Sequence, residues 1–500
     1  MSHAPTHQDW LDRAAQVHIT TGLFIDGHSV EALAGETFEC INPATGGVLA
    51  HMAKGQAADI DRAVASCRAA WVDGRWARQA PRERARVLLK WADVVEAHSA
   101  ELALLESLDM GKPISDMFNI DLPEILKTIR YFAECIDKTE GAVTSTDASA
   151  LHTITHEPLG VVGAITPWNY PMLMAVWKLA PILAAGNCVV LKPAEQAPLT
   201  CNRLAQLFVD AGGPPGVFNV VNGMGAEAGK ALALHMDVEK ITFTGSTAVG
   251  KLLLGYAGQS NMKRIALETG GKSPQIFMPD LYDFDAAVDR AVGGIFDNAG
   301  QVCNAGSRLL VHRSLHDRFV DRFVERTAAL YCPGDPLDPA TTMGPLVSQA
   351  QRSNVNMRIA RALEQGATQV LPALGGGLNA AGAYVAPTLF TQVRQDMSIV
   401  QEETFGPVAS VQAFDTAEEA IALANDSVYG LAASVWTSDL QTAHRMSAAL
   451  QAGVIWVNCF GDGDMTQPFG GYKQSGNSRD KHKDSLLSYL QTKSTWIHLA

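Results

Sequence analysis

The sequence predicts an α/β protein built on parallel sheets, and three observations carry that expectation. From residue 160 onward, short apolar runs alternate with helical stretches, as in "GVVGAITP", "NCVVLKP", "VFNVV" and "KITFTG". Runs of this kind, hydrophobic throughout rather than alternating, suit strands whose two faces are both covered by helices. Their spacing of roughly 20–30 residues is that of strand–helix–strand units. Finally, 500 residues are too many for one ordinary core, so two or three domains are expected.

Taken in order, "GLFIDG" and "FECINPATGGVLAHM" read as hairpins, with Gly, Asn and Pro at the turns. The stretch "ARQAPRERARVLLKWADVVEAHSAELALLESLDMGKP" spaces its apolar residues as helices do and stops at Gly111-Lys112-Pro113; a further helix is expected from about Leu122 to Lys138. "MLMAVWKLAPILAAGNCVVL" is apolar enough to suggest a membrane span. Lys178, Pro181 and Asn187 interrupt it, so a buried helix followed by a buried strand is expected instead. A second α/β region begins near 271 and carries "PQIFMPD", "SRLLVHRSL", "FGPVASVQAF", "LAASVWT" and "GVIWVN".

The composition narrows the function. A formal charge of −13 argues against nucleic acid or an anionic membrane as partner, since both attract basic surface. With 47% hydrophobic residues the chain has enough apolar surface for packed cores. The eight cysteines form no C-x-x-C pair and no Cys/His zinc spacing, so neither a disulfide framework nor a metal site is expected. No basic segment followed by an apolar run opens the chain, and a cytoplasmic residence is the expectation.

Five stretches carry residues suited to chemistry. "ITFTGSTAVGKLLLGYA" reads as strand, glycine turn and helix, which turns backbone N–H groups and a helix N-terminus toward an anion; alone, it is equally a plain turn. In "VVLKPAEQAP", Lys192 and Glu195 follow a strand, where a carboxylate accepts hydrogen bonds from ribose hydroxyls; a solvated loop is the ordinary alternative. "RIALETGGKSPQIF" puts Glu268 at the end of an apolar strand, a position whose burial raises a carboxyl toward the range of a general base. "AITPWNYP" fixes the Asn169 amide on a proline-bracketed turn, a rigid donor for an oxyanion. In "NAGQVCNAGSR", Cys303 has no histidine nearby in sequence, which disfavours a Cys–His protease. With a carboxylate, an amide and a nucleotide crevice, thiolate addition to an aldehyde fits better. The adduct passes a hydride to a nicotinamide, and water cleaves the resulting thioester.

These motifs together resemble the aldehyde dehydrogenase superfamily over nearly the whole chain. "PWNYP", "LKPAEQAP", "FTGSTAVG", "LETGGKSP", "GQVCNAGSR", "EETFGPV" and "PFGGYKQSG" occur in the family's order and at its spacings. The resemblance implies a Rossmann-type parallel-sheet cofactor domain over 1–138 and 159–270 and a second α/β catalytic domain over 271–475. It also implies a small β oligomerisation element, 139–158 with 486–500, holding a dimer or tetramer. Cys303 is the implied nucleophile, Glu268 the base and Asn169 part of the oxyanion hole, with Lys178 in the same catalytic set. NAD, or NADP, is the implied cofactor. Its binding set is Ile165, Thr166, Pro167, Trp168, Lys192, Glu195, Gly225, Phe243, Gly245, Ser246, Val249, Thr269, Gly270, Glu403 and Phe405. Glu195 favours NAD, because a carboxylate there repels the extra phosphate of NADP. Two positions depart from the family pattern: Thr269, where Leu is common, and Ser478, where Gly is usual. Neither is expected to touch the nucleophile, base or amide.

The tail of the chain most resembles enzymes that oxidise ω-amino and γ-glutamylamino aldehydes in putrescine degradation. The implied substrate set is Tyr170, Leu173, Trp177, Phe296, Asp462, Asp464 and Phe469, with the two aspartates drawing a cationic end. A broad aliphatic or aromatic specificity, a CoA-acylating enzyme and a catalytically silent homologue are the alternatives. Glu268 disfavours the second of these, and the retention of Cys303, Glu268 and Asn169 disfavours the third.

Overall fold

A computed structural model describes residues 5–371 and 378–499. The N-terminal part forms two hairpins, β1 (Leu23–Ile25) with β2 (His28–Val30) and β3 (Thr37–Ile41) with β4 (Val48–Ala53). Asp26 and Gly27 join the first pair, both at positive φ, the geometry a two-residue hairpin turn demands. Helices follow. The one ending at Met110 stops at Gly111, whose φ of 82° is the left-handed cap expected there. The next runs Leu122–Cys135, three residues short of the expected end, and enters through a π turn over Met117–Asp121. Beyond it β5 (Ala142–Thr144) and β6 (Ala150–Pro158) lead into the first large sheet.

That sheet holds β7 (Val161–Ile165), β8 (Cys188–Lys192), β9 (Phe218–Val220), β10 (Lys240–Thr244) and β11 (Arg264–Glu268), all parallel. The order is β11-β10-β7-β8-β9-β1-β2, the hairpin strand β1 adding antiparallel to β9. Chain order therefore reverses between β7 and β10, and such switch points open a crevice at the carboxyl ends of the strands. β7, β8, β9 and β10 are buried along their full length, which explains their unbroken apolar runs. On the edge strand β11 only Leu267 and Glu268 are fully buried.

The second sheet contains β12 (Pro274–Phe277), β13 (Arg308–His312), β14 (Thr368–Gln369), β15 (Thr388–Thr391), β16 (Val408–Phe414), β17 (Ala432–Trp436) and β18 (Val454–Val457). Its order is β14-β15-β16-β13-β12-β17-β18, with only β14 antiparallel. β14 and β15 were not expected: each is short, and neither carries a long apolar run. The chain ends in β19 (Leu490–His498), which pairs antiparallel with β6 over nine residues, from Leu490 opposite Pro158 to His498 opposite Ala150. The expected terminal strand was drawn too long. Asp484–Leu487 is a helical turn, and Ala500 lies outside the described residues.

One loop ties the sheets together. Residues 469–480 return to the first sheet, where Thr269 N–H donates to Ser475 O at 2.9 Å and Glu268 forms a β-bridge with Gly476. Any side chain at Gly476, whose φ is 136°, would meet Leu267 O at 2.3 Å, so only glycine lets the loop lie this close to β11. This contact brings the tail motif onto the end of the strand that carries Glu268.

Candidate active site

Between the two large sheets lies a cavity of about 690 Å³. Its wall includes Asn169, Cys303, Thr269, Gly270, Glu403 and Phe405 at one end, and Trp177, Trp456, Asp462 and Phe469 at the other. All the motifs found in the sequence but LKPAEQAP deliver a residue to this cavity, though not always the one expected.

Cys303 follows a turn held in an uncommon conformation. Asn298, Ala299 and Gly300 all lie at positive φ, at 50°, 54° and 72°. Non-glycine residues adopt this region at a cost of roughly 1–2 kcal/mol each, so surrounding contacts must hold it. They do: Asn298 Nδ2 donates to Asn169 O at 2.8 Å, and Val347 N–H donates to Gln301 Oε1 at 2.9 Å. The same turn fixes the amide opposite the sulfur. Asn169 Nδ2 donates one hydrogen to Gln301 O at 2.8 Å, and its second hydrogen remains for the cavity that Asn169 lines. Part of Cys303 opens to the cavity, yet the protein mass around it, then the Glu403 and Glu268 carboxyls, push its thiol up to about 12. Its own N–H and that of Asn304 face the sulfur and partly offset this rise.

The Gly270-Gly271 pair is needed for close approach. A Cβ on Gly271 would sit 2.4 Å from Cys303 O, and one on Gly270 would sit 2.2 Å from Glu403 Oε2. Glu403 accepts a hydrogen bond from Gly271 N–H at 2.9 Å, and burial lifts its carboxyl to about 7. Trp168 and Phe405 meet edge-to-face at 5.2 Å on the same wall.

Glu268 is buried and is not among the residues lining the cavity. Its pKa stands well above the ordinary carboxylate range, raised by burial and then by the charge of Asp480, against the opposing pull of Lys178. Oε2 has no hydrogen-bond partner, while Oε1 accepts from Ser478 Oγ at 2.8 Å. The expectation that Ser478 stands clear of the base therefore fails, because the loop over β11 brings it into contact. Thr269, the other departure, lines the cavity and donates its hydroxyl to Gln474 O at 2.6 Å.

Lys178 does not reach the cavity either. It is fully buried in the Pro171–Ala184 helix and forms an ion pair with Asp480 behind Glu268. Lys178→Met leaves the Asp480 carboxylate buried and unpaired, an arrangement that costs about 3–5 kcal/mol. A clear drop in the midpoint of denaturant unfolding is the expected result; an unchanged midpoint would show that the pair contributes nothing.

The crevice at the β7/β10 switch point continues from this cavity. Thr244, Gly245, Ser246, Pro167 and Trp168 line it, and Ile165 and Thr166 lie at the end of β7 beside them. Phe243 packs beneath Gly245, where a Cβ would meet its ring at 2.5 Å. Ser246 caps the Thr247–Gln259 helix, its Oγ accepting from Val249 N–H at 3.3 Å. At the end of β8, Lys192 and Glu195 pair at 2.7 Å. Burial alone would raise Glu195, but the charge and hydrogen bond of Lys192 prevail and lower it, and Gly225 N–H faces the same carboxylate.

The substrate expectations need two corrections. Phe296 is fully buried in the core of the second sheet, packed on Phe323 and Tyr331, because its helix turns that face away from the cavity. Asp464 is engaged locally, accepting from Thr466 N–H at 2.8 Å and Thr466 Oγ1 at 2.5 Å, and lies off the cavity wall. Tyr170, Leu173, Trp177, Asp462 and Phe469 do line it, with Trp177 and Phe469 edge-to-face at 5.3 Å. Glu124 and Lys481 also line the cavity and were missed; each sits in a charged stretch that reads as solvated surface. Asp480 was missed because its partner Lys178 is 302 positions away in sequence.

The model of the "Aldehyde dehydrogenase family" matches residues 30–495. The chain belongs to the aldehyde dehydrogenase family. It is an oxidoreductase acting on the aldehyde group. It is 49% identical to the NADP/NAD-dependent aldehyde dehydrogenase PuuC of Escherichia coli, over 98% of each chain. It is 45% identical to an aminoacetaldehyde dehydrogenase of Pseudomonas aeruginosa, over 99% of each. Among solved structures, the gamma-glutamyl-gamma-aminobutyraldehyde dehydrogenase of Burkholderia cenocepacia superposes with a TM-score of 0.96 at 51% identity, covering 99% of this chain and 100% of that one. An indole-3-acetaldehyde dehydrogenase complexed with NAD+ gives 0.97 at 50%, with the same coverage.

Proposed function

We propose that this aldehyde dehydrogenase oxidises γ-glutamylamino or ω-amino aldehydes to free acids with NAD(P), using Cys303 as nucleophile, Asn169 as oxyanion donor and Glu268 as base. The observation that carries the chemistry is the shared wall of Cys303 and the Asn169 amide, which continues into the crevice at the β7/β10 switch point.

The crevice suits a dinucleotide on this chain's own features. Thr244 Oγ1 is buried there without a hydrogen-bond partner, and the N-terminus of the Thr247–Gln259 helix opens beside it. The Lys192–Glu195 pair would hold the ribose of the adenosine, and Glu403 the ribose of the nicotinamide. When bound, the nicotinamide supplies the acceptor for the hydride that leaves the aldehyde carbon. The relatives PuuC, named as NADP/NAD-dependent, and the NAD+-complexed dehydrogenase support the same cofactor choice.

The chain's residues account for the remaining steps. Cys303 Sγ gives up its proton to solvent water in the open cavity and bonds to the carbonyl carbon, while the oxygen takes the negative charge. Asn169 Nδ2–H and the Cys303 N–H stabilise that oxyanion. Loss of the hydride re-forms the C=O bond and leaves a thioester on Sγ. Glu268 then takes a proton from water, the water oxygen attacks the thioester, and the C–S bond breaks to free the acid, the departing sulfur receiving the proton from Glu268 to restore the thiol.

The far end of the cavity supports the substrate class. Glu124 and Asp462 offer negative charge, and Lys481 offers a positive one beside them. A γ-glutamyl head carries both an ammonium and a carboxylate, so it pairs with both signs. Asp462→Asn is expected to raise KM for γ-glutamyl-γ-aminobutyraldehyde about fivefold or more, on the scale of a partly exposed ion pair, and to leave butyraldehyde unchanged. An equal change for both aldehydes would place head-group recognition elsewhere. Trp177, Trp456, Tyr170 and Phe469 favour a second reading, an aryl acetaldehyde. A kcat/KM panel of amino, acylamino, aliphatic and aryl aldehydes decides between them.

The remaining parts of this reading concern organisation. The sheet β19-β6-β5 exposes Val143, Trp496 and Ile497, which suits burial against a second copy in a dimer or tetramer. The first large sheet is read as the cofactor domain, the second as the catalytic domain and this small sheet as the oligomerisation element. Eight free cysteines fit a cytoplasmic setting. No helix among the described residues is long and apolar enough to cross a membrane.

A further inference from the structure

Ser478 stands where glycine is usual in this family, and its hydroxyl meets the proposed base directly. We propose that Ser478 is a positioning residue, a latch whose hydroxyl holds the Glu268 carboxylate off the cavity wall and must release it before the thioester is hydrolysed. The inference rests on Glu268 being that base.

Three observations support the latch. Glu268 does not line the cavity that holds Cys303, although its neighbours Thr269 and Gly270 do. Its Oε1 is held by Ser478 Oγ at 2.8 Å, while Oε2 is buried with no partner. Gly470 adds a close wall on the same side, since a Cβ there would sit 2.7 Å from Oε1. The carboxylate therefore has one hydrogen-bond partner on its retracted side and none for its other oxygen. To activate water at the thioester it must turn toward Cys303, and that movement breaks the Ser478 contact.

The hydroxyl has a second acceptor. Ser478 Oγ lies 3.0 Å from Leu267 O, and with one hydrogen it serves one acceptor at a time. An ionised Glu268 receives the Ser478 hydrogen. A protonated Glu268 donates to Ser478 Oγ instead, and the serine hydrogen turns to Leu267 O. The latch thus holds the ionised, retracted carboxylate, the state in competition with the working one. Once released, Ser478 still bonds Leu267 O, so the loss is partial.

Charged and titratable groups surround this site on every side. Lys178 comes from the Pro171–Ala184 helix, Arg479 and Asp480 from the covering loop, Tyr489 from the segment before β19, and Cys303 from across the cavity. All of them remain in a Ser478 variant, so a change on removing the hydroxyl reports on the latch.

The test is single-turnover hydrolysis of the acyl-enzyme in Ser478→Ala across pH. Removing the hydroxyl withdraws stability from both retracted forms, and most from the ionised one, whose hydrogen bond is charge-assisted. At acid pH, where the protonated Glu268 loses only a neutral hydrogen bond, the rate should rise by a smaller factor than on the plateau. At high pH the plateau should rise about threefold to tenfold, the range for a charge-assisted hydrogen bond partly replaced by another acceptor. The acid limb should move to higher pH by the difference between these two effects, with the rate of acylation unchanged. Ser478→Thr, which keeps the hydroxyl, should stay near the unsubstituted profile. A plateau in Ser478→Ala that is unchanged or lower overturns the latch. Glu268→Gln separates the two ideas: if that variant hydrolyses its acyl-enzyme normally, the proposed base is wrong, whereas slow hydrolysis there with an unaltered Ser478→Ala profile defeats the latch alone.

Discussion

Cys303→Ser is expected to reduce aldehyde oxidation by roughly 10⁴-fold while leaving dinucleotide binding intact. The two side chains have nearly the same shape, so the cavity, the Asn298–Gly300 turn and the Asn169 amide should persist. The difference lies in the proton. A thiol pushed so far up is held almost wholly protonated at neutral pH, and a serine hydroxyl is weaker still as an acid. Attack by Cys303 is therefore coupled to removal of its proton, and acylation should accelerate as pH rises above neutrality. Stopped-flow NADH formation gives the chemical step, and titration calorimetry with NAD gives binding. A serine variant that keeps a tenth of the activity with unchanged cofactor affinity would overturn the assignment of Cys303.

How much of this was legible in the sequence depends on how local the cause is. The parallel strands could be read because full burial prints a run of apolar residues, as in Cys188–Lys192 and Lys240–Thr244. Cys303, Asn169 and Glu268 each sit within a short motif whose backbone requirements, tight turns and close glycines, leave marks in sequence. Strands of two and four residues, β14 and β15, left none. Contacts spanning hundreds of residues were also invisible. Lys178 reads as an interruption in an apolar helix until Asp480 is seen beside it, and Ser478 reads as a neutral departure until the loop lays it on Glu268. Phe296 illustrates the reverse error: the resemblance implied a place on the cavity wall, but its helix turns the ring into the core. Asp462 and Asp464, two residues apart on one turn, point to different neighbours, and only the first meets the cavity.

Glu268→Gln should separate the two halves of the reaction. The amide keeps the length and planarity of the carboxyl and still accepts from Ser478 Oγ, so folding and acylation should survive. It does not take a proton from water, and loss of a general base lowers the hydrolytic step by roughly 10²–10⁴-fold. The expected record is a burst of NADH approaching one per active site, followed by very slow turnover. The pH dependence carries a second signature. Glu268 works only when ionised, and burial followed by the charge of Asp480 raises its pKa above the ordinary carboxylate range. Hydrolysis by the unsubstituted enzyme should thus fall as pH drops through that raised value, and the variant should lose this limb. The burial that makes the ionised form costly also makes it a stronger proton acceptor, so placing Glu268 at the closed end of β11 serves the chemistry better than an exposed carboxylate, ionised at all working pH values but weakly basic. If Glu268→Gln turns over at the unsubstituted rate with the acid limb preserved, water is activated by another group.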